Sequence, residues 1–361
     1  WPMTRHIPSL DGLRAIAVLL VLWCHIPPAT PGFPDWLGWA RTWVVPGNLG
    51  VELFFALSGF LITRILLDER ERGQSVRWFL LRRLLRIFPI YYLLLCVMAW
   101  QRPAGEIGWA LLYLGNFRDT FWPIMDRNPL GHTWSLCVEE HFYMLWPLVV
   151  AWLPPAASRR VLTWGVIPAA ILSGLWVCLT MPPAFSEVAL QRLSPIRFGT
   201  LAAGALVAYA EPWLRAQPSR MLRVGVFVAA IGFLADTRIW FVLVPVYWLD
   251  VSWWPTDMFP IWLRIQSALF AVGVLIWCIT PPGRAGSPAR LLSFAPLCAI
   301  GRISYGLYLY HLPIYHWLLH PERTAGDVWL AATLTFAAAT ASYWLIERPI
   351  LRFARRYSDR Q

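Results

Sequence analysis

Apolar runs, most of them near membrane-crossing length, follow one another along the chain, separated by short turns rich in proline and arginine. Residues 12–26, 49–67, 84–100, 135–153, 161–180, 196–210, 221–235, 261–280, 299–320 and 327–346 each read as a transmembrane helix, since about 20 mostly apolar residues cross a bilayer as a helix. Two further pieces, 107–117 and 239–249, fall below the roughly 17 residues a crossing needs and are expected to be interfacial or re-entrant. Arginine placement orients the chain. The segment from Arg64 to Arg86 holds Arg64, Arg70, Arg72, Arg77, Arg82, Arg83 and Arg86, so that stretch is expected on the cytoplasmic side. If neither short piece crosses, the turns at Arg159-Arg160, Arg215 to Arg223 and Arg284 to Arg290 and the tail from Arg348 fall on the same side. If only the first short piece crosses, the next three turns flip. The pattern therefore predicts an all-α polytopic membrane protein of about ten transmembrane helices with both termini cytoplasmic. Residues 3–361 are expected to form one membrane domain with no appended soluble domain.

Composition sharpens this reading. Of 361 residues 58% are hydrophobic and only 14% charged, with a mean hydropathy of +0.51, which is too apolar for a soluble chain. The 24 tryptophans suit membrane interfaces. The net charge of +11 comes entirely from arginine, because the chain has no lysine. These arginines sit mostly in short loops, so topology and anionic lipid account for them, and nucleic acid is not an expected partner. Cys24, Cys96, Cys137, Cys178, Cys278 and Cys298 lie in or beside apolar runs with neither metal spacing nor a disulfide pattern, so they are expected as buried free thiols, and no metal is implied. The first apolar run carries Arg14 and no small-residue cleavage site, unlike a cleavable signal peptide. No internal repeat is visible, which weakens a transporter built on inverted repeats.

The chemistry lies in the polar residues within these spans, which are costly in lipid and therefore candidates for function. Arg14 and His25 lie eleven residues apart in S-L-D-G-L-R-A-I-A-V-L-L-V-L-W-C-H. At about 3.6 residues per turn they share one helical face, separated by roughly 16 Å. On the predicted topology Asp11, Arg14, Arg83, Arg86 and Arg302 occupy the inner half. His25, Glu52, Glu139, Glu140, Tyr143 and, somewhat deeper, His311 occupy the outer half. Arg83 and Arg86, three apart on one face, are either snorkelling cations or a clamp for phosphate, which guanidinium binds bidentately. His25 has the side chain suited to general-base work near neutrality. Glu139 and Glu140 are adjacent and so point about 100° apart, leaving one for a site and one for an arginine. His141, beside them, is expected to face outward at the interface. Ser304, Tyr308, His311 and Tyr315 form one polar stripe on an apolar helix. Ser58-Gly59 reads as small-residue helix packing, and Glu347-Arg348-Pro349 as a helix end with its stop signal.

Six stretches carry a family likeness: S-L-D-G-L-R-A-I-A (9–17) with His25, G-V-E-L-F-F-A-L-S-G-F-L-I-T (50–63), R-R-L-L-R-I-F-P-I-Y-Y (82–92), H-T-W-S-L-C-V-E-E-H-F-Y (132–143), I-S-Y-G-L-Y-L-Y-H-L-P (303–313) and I-E-R-P (346–349). In this order the chain resembles the acyltransferase-3 family of integral membrane O-acyltransferases. The resemblance implies an enzyme of the bacterial cytoplasmic membrane that moves an acyl group from acyl-CoA to a hydroxyl of a macrolide-type small molecule or of a sugar in a glycan or lipid-linked glycan. The family's arginine–histidine spacing falls on Arg14 and His25, and its R-x-x-R motif on Arg83 and Arg86. His141 stands where the family commonly has glutamine, and Glu52 where it often has aspartate.

The expected mechanism places the acyl-CoA phosphates at Arg83 and Arg86, with Arg14, and the thioester near His25. His25 takes the proton of the acceptor hydroxyl. Glu139 or Glu140 orients the histidine or binds acceptor, with Tyr143 beside them. Glu52, Asp11, Tyr308 and His311 are the expected substrate-side groups. Direct transfer and a transient acyl-enzyme on His25 or Tyr143 both stay open. The rival readings are a transporter or flippase of an amphipathic molecule, and hydrolysis of acyl-CoA with water as acceptor.

Overall fold

The computed structural model describes residues 6–26, 30–32, 48–100, 104–122, 128–234, 259–281, 287–319 and 323–358. Among the described residues there are helices and no strand. In chain order these are α1 (Pro8–His25), α2 (Asn48–Glu71), α3 (Val76–Ala99), α4 (Ala104–Leu111), α5 (Gly115–Phe121), α6 (Trp134–Trp152) and α7 (Pro155–Thr180). They continue as α8 (Pro183–Arg192), α9 (Ser194–Ala216), α10 (Pro218–Leu234), α11 (Phe259–Cys278), α12 (Ala295–Arg302), α13 (Ser304–Leu318), α14 (Ala325–Ser342) and α15 (Arg348–Ser358). Six stretches are long and apolar enough to cross a membrane: Pro8–His25, Leu49–Glu71, Pro155–Thr180, Phe185–Ala216, Ile261–Cys278 and Ala325–Phe353. The protein is an all-α membrane protein.

Three departures from the hydropathy pattern matter. The short run 107–117 is broken at Tyr113, which has a positive φ of 55°, into two helices of eight and seven residues. Each rises only about 12 Å, far short of a bilayer core. The companion run 239–249 lies outside the described residues. The run 299–320 is not one helix, because α12 ends at Arg302 and α13 starts at Ser304. Gly301 marks the cause: a Cβ there would sit 1.9 Å from the Asp11 carbonyl oxygen, so α12 rests directly on the α1 backbone before the chain turns into α13. At the last span Pro349 does not stop the helix. The π turn Tyr343–Glu347 leads straight into α15, so the wider turn lies just ahead of Pro349, which lacks a backbone donor.

Helix α2 packs against α1 and α9. Gly59 meets the Leu201 carbonyl and Gly204 meets the Ala56 carbonyl, where added Cβ atoms would stand 1.8 and 2.1 Å away. Small-residue packing at Gly59 thus follows the sequence reading. Two buried ion pairs lock the same seam. Arg197 on α9 donates to Glu52 on α2 at 2.7 Å, and Thr200 donates to the second carboxylate oxygen at 2.8 Å. Arg64 lies 2.9 Å from Glu211, which also accepts from Arg215. Pairing of this kind is what makes charges tolerable in a low-dielectric interior.

Candidate active site

Two cavities lie at different depths beside α1. The first, of about 90 Å³, is enclosed by α1, α2, α3, α6 and α13, with Arg14, Arg83, Arg86, Glu139, Glu140 and Tyr308 on its walls. Arg83 and Arg86 face the same way because they are three apart on α3, and Arg14 reaches them from the first turns of α1. The Arg83 guanidinium lies over the Tyr143 ring, 3.8 Å from its centre, a cation–π geometry that fixes the cation. Its Nε is buried and has no hydrogen-bond partner among the described residues. Ser58 donates to Glu139 Oε1 at 2.7 Å, and Asp11 holds Arg14 at 3.3 Å while taking His6 at 2.8 Å. Three guanidinium groups face two carboxylates on the walls, with Asp11 behind Arg14, and the orphan Nε of Arg83 is the donor left to receive an anion.

The second cavity, of about 240 Å³, opens at the other end of α1, with His25, His132, Asp119 and Arg192 among its lining. The His25 ring is set by its neighbours. Its Nδ1 lies 2.8 Å from the Val21 carbonyl oxygen, so Nδ1 carries the proton and the basic lone pair belongs to Nε2. His311, fully buried, donates from Nδ1 to the Tyr308 carbonyl at 2.7 Å, leaving its Nε2 as an acceptor 3.3 Å from His25 Nδ1. His132 packs on the far side of His311, ring centres 4.9 Å apart, and contacts the Leu309 carbonyl at 3.1 Å. Burial, reinforced by nearby His25, pushes the His132 pKa down to about 3, so this ring stays neutral.

Tyr308, Ser135, His132 and Trp134 stand between the cavities. Tyr308 and Ser135 line the arginine cavity, while His132 and Trp134 line the other. The Tyr308 hydroxyl joins the two sides, 2.5 Å from Ser135 Oγ and donating to the His132 carbonyl at 2.9 Å.

The structure re-sorts several residues. Glu139 and Glu140 stand among the arginines and not in the His25 half, and Tyr143 stacks on Arg83. Five and six residues into α6, the carboxylates lie roughly 8–9 Å below its first residue, level with the inner ends of α1 and α3. Helix α3 carries its arginines deep instead of snorkelling them to the surface. The Val21 carbonyl and His311 Nε2 both contact His25 Nδ1, and no described hydrogen bond joins His25 to Glu139 or Glu140. Glu52 lines neither cavity, since Arg197 and Thr200 occupy it. His141 does not face outward: its Nδ1 is 2.7 Å from Ser194 Oγ at the start of α9, and its ring packs on Phe117.

The model of a protein family described as an acyltransferase domain matches residues 7–348. The chain belongs to this acyltransferase-3 family. It is 28% identical over 376 residues to the peptidoglycan O-acetyltransferase OatA of Listeria monocytogenes, covering 96% of this chain and 56% of that protein. It is also 28% identical over 377 residues to the O-acetyltransferase OatA of Staphylococcus aureus, covering 96% and 57% respectively. The chain thus spans a little over half the length of these curated relatives. No solved structure matches it.

Within this acyltransferase-3 domain the functional candidates go beyond the residues singled out by pattern. His132 and Ser135 belong to the stretch H-T-W-S-L-C-V-E-E and were legible there as polar groups ahead of an apolar helix. Ser58 was hidden by the small-residue pattern around Gly59. Asp119 and Arg192, joined by a 2.7 Å ion pair, lie on short helices with no periodic signal.

Proposed function

We propose that the protein is an acyl-CoA-dependent O-acyltransferase whose donor occupies the arginine cavity and whose acceptor hydroxyl enters the His25 cavity. One observation carries this reading: a single helix places a guanidinium in an anion-disposed cavity at one end and a tautomer-fixed imidazole in a polar cavity at the other. The arginine side is assigned to the cytoplasm, where the phosphates of acyl-CoA meet Arg14, Arg83 and Arg86. The acyl arm extends along α1 past Tyr308, and the roughly 16 Å from Arg14 to His25 suits an extended thioester-bearing chain. His25 Nε2 accepts the acceptor's hydroxyl proton as its oxygen attacks the thioester carbonyl. The C–S bond then breaks, and the leaving thiolate takes the proton back from the imidazolium. Glu139, held by Ser58, and Glu140 keep the three cations together before the donor arrives. The names of the relatives favour a glycan hydroxyl, such as one of peptidoglycan, over a macrolide ring.

The test is thermal melting of the detergent-purified protein with acetyl-CoA, longer acyl-CoAs and CoA, followed by product analysis with a glycan acceptor. A dose-dependent stabilisation that disappears in an Arg83→Ala, Arg86→Ala variant supports the donor site. Absence of stabilisation by every thioester, or movement of an amphipathic substrate without ester formation, would overturn the reading.

A further inference from the structure

We infer that the His25 cavity is a subsite for one neutral, hydroxyl-rich ring of pyranose size, read by Gln191 and by the Asp119–Arg192 pair. The inference rests on the O-acyl-transfer reading for its place in the reaction, but the binding it claims is independent of any donor.

Size comes first. At about 240 Å³ the cavity is smaller than the roughly 300 Å³ at which sites for drug-sized ligands begin. It has room for one sugar ring, and a macrocycle would have to stay mostly outside it. Its walls include α5 and the short turn Gly131–Thr133 ahead of α6, pieces too short to cross a membrane, and the end of α8. A long polymer can therefore present one unit at this rim while the rest stays outside.

Charge comes second. Asp119 is the cavity's carboxylate and is held from two sides, by Arg192 at 2.7 Å and by Arg118 at 3.3 Å. Arg118 in turn faces Glu106 at 3.6 Å. Two acids balance two bases, so this wall selects neither an anion nor a cation. Burial pushes the Asp119 carboxyl pKa upward against the pull of both arginines. Hydrogen bonds to a ligand gain strength in such a desolvated place.

Unspent hydrogen-bonding capacity comes third. Gln191 is half-buried on the lining, and no hydrogen bond from its amide is described. It offers two donors and a carbonyl acceptor to a ligand. Arg192 Nε is likewise buried without a partner among the described residues. Asn128 uses its carbonyl on the Leu130 amide at 2.9 Å, which leaves its NH₂ for the cavity. Trp134, the aromatic group on the lining, is nearly buried and packs edge-on against Phe55, so it gives no open stacking platform. Recognition here is by hydrogen bonds, the mode that discriminates most strongly between a hydroxylated ligand and one lacking the hydroxyl.

The experiment is isothermal titration of the purified protein in nanodiscs with an N-acetylglucosamine tetramer, without donor, on the native chain and on Gln191→Ala and Arg192→Gln variants. Erythronolide B, a macrocycle with no sugar, serves as the large-ring comparison, and the acetyl-CoA melting shift reports that each variant is folded. The expected result is tetramer binding weakened tenfold or more in Gln191→Ala, and no erythronolide binding that depends on Gln191. Gln191→Ala breaks no described internal contact, so it stays informative if Arg192→Gln loosens the α5–α8 contact. Failure of the native chain to bind the tetramer, or equal binding by native chain and Gln191→Ala, overturns the subsite. Binding that depends on Gln191, without CoA release when acetyl-CoA is added, would keep the subsite and overturn the transfer reading instead.

Discussion

The cavities on either side of Tyr308 are built from opposite chemistry. The one at the arginine end is small, crowded with fixed cations, and balanced by carboxylates that its own helices supply. The one at the histidine end is larger, neutral in charge, and lined by amides, imidazoles and a closed ion pair. A cluster of fixed guanidinium groups recognises the charge of a ligand and little else. A neutral lining with unspent donors and acceptors recognises where hydroxyls are. One cavity thus fits a phosphate-bearing carrier common to many reactions, and the other fits the substrate that makes this reaction particular. A single helix, α1, serves both.

The largest expected effect breaks the histidine side alone. His25→Ala removes the general base and should lower ester formation by about 10²–10⁴-fold, measured as product per time at saturating donor. The acetyl-CoA melting shift should persist, because the arginine cavity is untouched. Loss of both together would mean that the two cavities are not independent.

Next comes the arginine side. Arg86→Ala removes a charge-assisted contact worth about 1.5–3 kcal/mol, so the KM for acyl-CoA should rise roughly 10–100-fold. kcat at saturation should change much less. The reverse pattern, a fall in kcat with KM unchanged, would place Arg86 in the chemistry and not in donor binding.

How far this division was legible from sequence depends on what kind of information each residue carries. The helical membrane architecture was legible: six of the ten apolar runs coincide with helices long and apolar enough to cross. Arg14 and His25 were legible as a pair because helical spacing alone puts them on one face. Depth was not. Glu139 and Glu140 were assigned to the His25 half by counting from the start of their run, but the level they meet depends on how far α3 carries its arginines inward. Partners distant in the chain were not legible either. Glu52 looked like a site carboxylate until Arg197, 145 residues away, took one of its oxygens. The break at Ile303 arises from contact between Gly301 and α1, which no periodicity records.

Glu52 gives a prediction that separates scaffold from site. Glu52→Ala leaves the Arg197 guanidinium buried and uncompensated, at a cost of about 3–5 kcal/mol. The melting temperature should fall sharply. The KM for acyl-CoA of the protein that remains folded should hold, because Glu52 lines neither cavity. A selective change in KM at unchanged melting temperature would return Glu52 to the substrate side.

The smallest effect tests the residues between the cavities. Tyr308→Phe keeps the ring that packs beside His132 and His311 but removes the hydroxyl that joins Ser135 to the His132 carbonyl. A net hydrogen bond is worth about 1 kcal/mol, so transfer to the acceptor should fall only about fivefold. The informative quantity is the ratio of free acid to ester formed from the same acyl-CoA. If the hydroxyl aligns the acyl arm as it passes into the His25 cavity, its loss leaves the thioester worse placed for the acceptor while water still reaches it, and the ratio should rise by more than the fall in transfer. An unchanged ratio would mean that packing of the ring, not the hydroxyl, positions the arm. Tyr308→Ala should then raise the ratio where Tyr308→Phe does not.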